Sequence, residues 1–418
     1  MGRGWAWHLG LGRELGNVFW AMVGVEAAFG AYMSVWPLWI EALGAPVTVV
    51  GLVLGSAGLL RLLTLGPSAG LAERFDARRL IVVARVCAGL GMIAAALANH
   101  WPQLFLMVLG SAIGEIAFPL TQSHVAAHAG ARRVRAFTLV FNVGPAAALG
   151  LSPLVSGALV AIWGMRAAFV FAAICTAVSI LFFARIAPSP PRARDDKAAD
   201  ETSSYRAALA DLPVRRLVTL QFATIFALAV GTSFVPTFLA DERGLAPSTI
   251  AMLGGVGSVG SVLFGLVVAR TLCLQRAPLL SVAIAVGFVA LSHAVIATGH
   301  ALWLIVVAFL GRGGLFSAWG LFVAGVSEVV AERHRGRAFA LCEMMGGSAF
   351  SFAPILAGSL YATRPVLPLA VAVALGVLMI PVLLRAQRSL TATTDRRAEE
   401  PEPRPDPVLE PQVEPEMA

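Results

Sequence analysis

Charge is scarce in this 418-residue chain: 13% of its residues are Asp, Glu, Lys or Arg, 58% are hydrophobic, and the mean hydropathy is +0.80. A water-soluble fold of this length needs far more polar side chains to cover its surface. The composition therefore excludes an ordinary soluble domain and points to lipid as the solvent. Lysine is almost missing. Lys197 is the only one, and the other basic residues are arginines in short clusters between apolar runs. No basic stripe interleaved with aromatics exists, which excludes a nucleic-acid surface. No G-x-x-x-x-G-K-[ST] motif occurs, which excludes a phosphate-cradling loop of that kind. The four cysteines, Cys87, Cys175, Cys273 and Cys342, are widely spaced and lie in or beside apolar segments. Without a C-x-x-C pair they suggest neither a metal site nor a disulfide framework. The first apolar run is too long for a cleavable signal core and reads as a retained helix.

What is present is a series of long apolar runs. Crossing a bilayer takes about 20 apolar residues in a helix. Twelve segments qualify: 17–40, 47–69, 78–98, 103–126, 136–160, 165–186, 216–240, 248–270, 278–299, 301–326, 338–362 and 364–386. The runs are too long, and alternate too little, for membrane strands. Placing residues 1–16 in the cytoplasm puts 25 basic residues in cytoplasmic segments and three, Arg166, Arg243 and Arg364, outside. That bias predicts a multi-pass protein of the cell's inner membrane with both termini inside. Residues 187–215, with Pro188, Pro190, Pro191 and a mixed charged run, read as a cytoplasmic linker. It divides a six-helix half at 17–186 from another at 216–386. Residues 387–418, rich in Pro and Glu, read as a disordered tail.

The two halves repeat at an offset near 200 residues. Arg135-Ala136-Phe137-Thr138-Leu139 matches Arg337-Ala338-Phe339-Ala340-Leu341, and Ser152-Pro153-Leu154-Val155-Ser156-Gly157 matches Ala353-Pro354-Ile355-Leu356-Ala357-Gly358. Six helices per half make the repeat parallel, related by an axis along the membrane normal.

With Ala69-Gly70-Leu71-Ala72-Glu73-Arg74-Phe75-Asp76-Ala77-Arg78 between the second and third helices, the sequence resembles the major facilitator superfamily. The stretch keeps in type the acid, the following Arg and the later Arg of that family's G-x-L-x-D-R-x-G-R-R signature, with Glu for Asp and both glycines replaced. The resemblance implies an all-α membrane fold of twelve helices in two halves. It also implies that Glu73, Arg74 and Arg78 act as a conformational clasp. The turn Trp163-Gly164-Met165-Arg166 is similar to the family's turn before its sixth helix. One departure stands out. Drug exporters of the family carry an Arg in a fourth-helix L-G-R run, but here that run is Leu109-Gly110-Ser111. The Arg occurs in the tenth helix instead, as Leu310-Gly311-Arg312.

Charges at mid-depth are costly, at least about 2.5–3.5 kcal/mol each, and so face a cavity or a partner. Glu26, Glu115 and Arg312 fall at mid-depth on helices 1, 4 and 10, which line the central cavity in the family. Two readings follow. Either Glu26 or Glu115 carries a proton while Arg312 neutralises an acid or holds an anionic group, or the charges form a buried pair that only joins the halves. Gln221 and Thr224 share a face of helix 7 and are expected to line the cavity. Arg61 and Glu343 are candidate gate residues, and Arg85 is expected to snorkel to the membrane surface. His124 and His128, one turn apart, lack a third metal ligand in the sequence, so no metal or cofactor is expected. These readings favour a monomeric secondary transporter, not an enzyme. Its expected activity is proton-coupled efflux of amphipathic or weakly cationic small molecules. Proton-linked or facilitated nutrient uptake is the alternative within that class, and a membrane scaffold or membrane-embedded enzyme the alternative outside it.

Overall fold

The computed structural model describes residues 8–188, 212–275, 277–329 and 335–399. They form helical rods, here α1 to α12. The first half comprises α1 (Arg13–Met33, then Trp36–Ala42), α2 (Val47–Arg74), α3 (Ala77–Leu97), α4 (Phe105–Gly114, then Ala117–His128), α5 (Arg133–Thr138, continued by a π-turn into Gly144–Trp163) and α6 (Arg166–Phe183). The second comprises α7 (Leu212–Asp241), α8 (Pro247–Arg270), α9 (Pro278–Thr298), α10 (Leu302–Arg312, then Gly314–Val329), α11 (Arg335–Thr363) and α12 (Leu367–Glu399). Among the described residues, nine rods are long and apolar enough to cross a membrane, or ten if the bent pair of α1 is one span. Most of the expected linker lies outside the described residues. α7 begins earlier than expected, at Leu212, and α12 runs past the expected boundary at 386 to Glu399.

The interruptions have local causes. α1 bends by 50° where Pro37 opens its second piece, since proline has a fixed φ and no N–H to continue the ladder. In α4, Pro119 cannot donate to the carbonyl of Glu115. That carbonyl accepts from Phe118 instead, at 3.1 Å, and the rod breaks there. In α10 the break falls on Gly313, directly after Arg312. Of these, α4 and α10 each carry an ionisable residue beside the break, Glu115 and Arg312.

Both chain ends of the described structure lie on one face, called here the terminal face; the opposite is the distal face. Packing differs between them. Near the distal face one apolar core runs through both halves, joining Trp36, Trp39 and Phe169 to Phe234, Phe238 and Tyr361. Toward the terminal face each half has its own core, around Leu15, Ile81 and Phe183 in the first and around Leu217, Leu279 and Phe322 in the second. The halves meet through small residues on the distal side. A Cβ at Gly55 or Gly51 of α2 would strike the carbonyls of Ser351 and Pro354 in α11. A Cβ at Gly157 of α5 would lie 2.8 Å from the Ser248 carbonyl of α8. Close backbone approach of this kind is how helices pack in lipid. The halves thus share a core near the distal face, which seals it, and among the described residues keep separate cores toward the terminal face. Outward-facing Leu90, Leu97, Leu106 and Ile174 remain largely exposed, as a lipid-facing surface requires.

Candidate functional site

A cavity of about 60 Å³ lies between the halves. Gly30, Met33 and Ser34 of α1 and Leu149 and Pro153 of α5 line it from the first half. Thr232 of α7, Gly254, Gly257 and Ser258 of α8, and Phe309 and Arg312 of α10 line it from the second. Small residues on α1 and α8 leave the space, and hydroxyls supply its rim. No carboxylate is among the lining residues, so Arg312 is the formal charge in the wall.

The guanidinium of Arg312 stacks on Phe309, with Cζ 4.4 Å from the ring centre. Its buried Nε has no hydrogen-bond partner among the described residues. Behind it, Thr232 donates to the Leu228 carbonyl at 2.9 Å and lies 3.2 Å from His293 Nε2. With the hydroxyl proton on that carbonyl, His293 is the donor to Thr232, and its Nδ1 is left as an unpartnered acceptor. An orphaned donor on a buried cation costs free energy until a ligand atom or water takes it. This arrangement suits an anionic or strongly accepting group of a bound molecule.

The two acids sit elsewhere. Glu26 and Glu115 are half-buried within the first half, and both act electrostatically on Arg85 and on Tyr32. Arg85 does not snorkel: it is 6% exposed. It lies two turns into α3, near Gly114 of α4, where an added Cβ would crowd Ala88 Cβ at 2.9 Å and meet Arg85 Nη1 at an ordinary 3.9 Å. The sequence brought Glu26, Glu115 and Arg312 to similar depth. The structure brings the acids to Arg85 and leaves Arg312 to the cavity. The mid-helix position of Arg85, eight residues beyond Ala77, was the signal for this role.

Other expected site residues fare differently. Gln221 and Thr224 are fully buried in the second half, and neither is among the residues lining this cavity. Gln221 Oε1 and Nε2 and Thr224 Oγ1 have no hydrogen-bond partner among the described residues, while their neighbours Val218 and Ile225 pack in that half's own core. Glu343 is exposed and accepts from Trp319 Nε1 at 2.9 Å, a partner in the same half, so this contact does not bridge the halves. Arg78 donates to the Ile186 carbonyl at 3.4 Å and caps the end of α6, while Asp76 caps the start of α3. The side chains of Glu73, Arg74 and Arg61 lie outside the described residues.

A family profile described as Major Facilitator Superfamily matches residues 18–325. No curated protein matches the chain in sequence. Among solved structures, a mutant of nucleoside transporter NupG superposes with a TM-score of 0.71 at 15% identity, covering 91% of this chain and 99% of that one. A POT family transporter in complex with a thioalcohol-conjugated peptide gives 0.70 at 14% identity, covering 91% and 96%. The human organic anion transporter MFSD10 (TETRAN) gives 0.63 at 16% identity, covering 89% and 99%. At such identities the likeness is one of fold.

Proposed function

This chain belongs to the major facilitator superfamily and is a membrane transporter of that family, and we propose that it moves a small molecule bearing an anionic group, held by Arg312, in exchange with or alongside protons. The observation that carries this reading is that Arg312 is the formal charge among the residues lining the cavity between the halves, with a buried Nε that has no partner among the described residues. Two rigid halves rocking about such a site would expose it to each face in turn. The terminal face, where the described residues of the halves keep separate cores, would be the open end of that cycle, and with both termini inside the cell membrane it would face the cytoplasm. Glu26 and Glu115, paired with Arg85 away from the cavity, are suited to exchange a proton while cargo occupies Arg312. An anion entering with a proton carries less net charge through a low-dielectric path, which favours uptake. That one structure of the same fold is of an organic anion transporter fits such cargo without establishing it.

A second reading keeps the expected efflux of weakly cationic compounds. It is favoured by the partial exposure of Glu26 and Glu115, two acids against one Arg85. Proteoliposomes holding a pH-sensitive dye separate the two. Small carboxylates should drive proton movement in the wild type and fail to do so in Arg312→Gln. Movement driven by organic cations, lost in Glu26→Gln or Glu115→Gln but retained in Arg312→Gln, would overturn the anion reading in favour of the second.

A further inference from the structure

The first half carries a second cluster of titratable groups, far from the cavity and facing the terminal side. His124 and His128 are one turn apart on α4, and the fold brings Glu14 of α1 against them. Glu14 is the third ligand that the sequence lacked. The candidate ligand atoms of the three residues all lie within 4.8 Å of one another. Glu14 Oε1 is 2.8 Å from His124 Nε2 and also accepts the backbone N–H of Ala187 at 2.6 Å. His128 Nδ1 lies 2.9 Å from the His124 carbonyl. A carbonyl can only accept, so Nδ1 carries the proton and the lone pair of neutral His128 is on Nε2.

We propose that Glu14, His124 and His128 form a binding site for a divalent late transition metal, zinc above all. Two imidazoles and a carboxylate are a three-ligand set that zinc accepts, with water in its fourth position. The backbone supplies what usually orients such ligands: the His124 carbonyl holds one ring, and the Ala187 N–H holds the carboxylate. His124 is 3% exposed, and the exposed His128 is held through Nδ1 with its Nε2 left for a ligand. The two rings stack with centres 4.2 Å apart, which keeps both imidazoles at the site. Asp76 acts electrostatically on His124 and adds negative charge nearby. Binding takes His124 in its other neutral tautomer, with the ring proton on Nδ1 and the Nε2 lone pair on the metal. The ion would tie α1, α4 and the end of α6 together at the terminal face, inside the core that belongs to the first half alone. It would neither touch the cavity nor depend on the cargo.

The test is zinc titration of the tag-free, full-length protein in detergent, near neutral pH, against a chromophoric chelator. The wild type should hold one zinc per chain at micromolar concentrations. His128→Ala and Glu14→Gln should each weaken binding at least about tenfold, whereas His300→Ala, remote from the cluster, should not. His128 is exposed, so its variant should unfold at the wild-type temperature without metal. Zinc should raise that temperature in the wild type and not in the variant. Absence of stoichiometric binding in the wild type, or equal binding in His128→Ala, would overturn the site.

Discussion

The two halves of this transporter share a backbone plan and divide its charges differently. Both interrupt their fourth helix at mid-depth, after Gly114 in one half and at Gly313 in the other, and both place an ionisable group at the break. In the first half the basic group, Arg85, is buried among two carboxylates and a tyrosine. In the second half Arg312 has an aromatic ring and a neutral histidine network beside it, and one edge turned to the shared cavity. A parallel repeat carries over the helix path. It does not carry over the electrostatics, because charge depends on single side chains that diverge independently. One half sets two acids near its buried arginine, and in the other the proposed cargo would supply the counter-charge.

The largest effect that would test this contrast is on stability. Arg85→Met leaves two carboxylates without their cation, and breaking a buried pair costs about 3–5 kcal/mol, reduced here because the acids are partly exposed. Thermal unfolding in detergent should fall clearly, and adding Glu115→Gln should recover part of the loss. Additive losses would mean that the two residues are not coupled. In contrast, Arg312→Gln should leave unfolding near the wild type, because its guanidinium lacks such partners. It should weaken cargo binding about ten- to hundredfold, as expected for losing a charged hydrogen bond of about 1.5–3 kcal/mol. A matching loss of stability would show that Arg312 is as compensated as Arg85, and the contrast would collapse.

The sealed distal face yields a smaller effect. Gly55→Leu drives a side chain into the Ser351 carbonyl, and overpacking of this kind costs about 1–3 kcal/mol. The population should shift toward a distally open state by roughly tenfold. This would be read as faster labelling, from the distal side, of a cysteine placed at Ser34. Unchanged labelling would mean that α2 and α11 do not form the seal. The smallest effect concerns the hydrogen bond from Tyr361 to Asp241 Oδ2, 2.7 Å long, within the second half. Tyr361→Phe should lower stability by about 0.5–1.5 kcal/mol, and transport should be little changed.

Much of this was legible in the chain. Apolar runs marked the rods, and the matched segments near 135 and 337 marked the repeat. The depth of Glu26, Glu115 and Arg312 followed from counting residues along a helix. Their partners did not. Arg85 looked like a snorkelling residue because its depth was misjudged. The angle at which each face points is set by neighbouring rods, not by periodicity, when nearly every residue of a helix is apolar. The pairing of Glu14 with His124 and His128 was hidden for a related reason: more than a hundred positions separate them.

By itself the sequence determined the solvent, the rods and the twofold plan, because these follow from local composition and from what a backbone must satisfy in lipid. Only the tertiary structure decided which charges meet, which face is sealed and which cation is left facing the cavity. Those outcomes depend on how rods rotate and lean against one another, and side-chain contact across distant segments is a property of that packing alone.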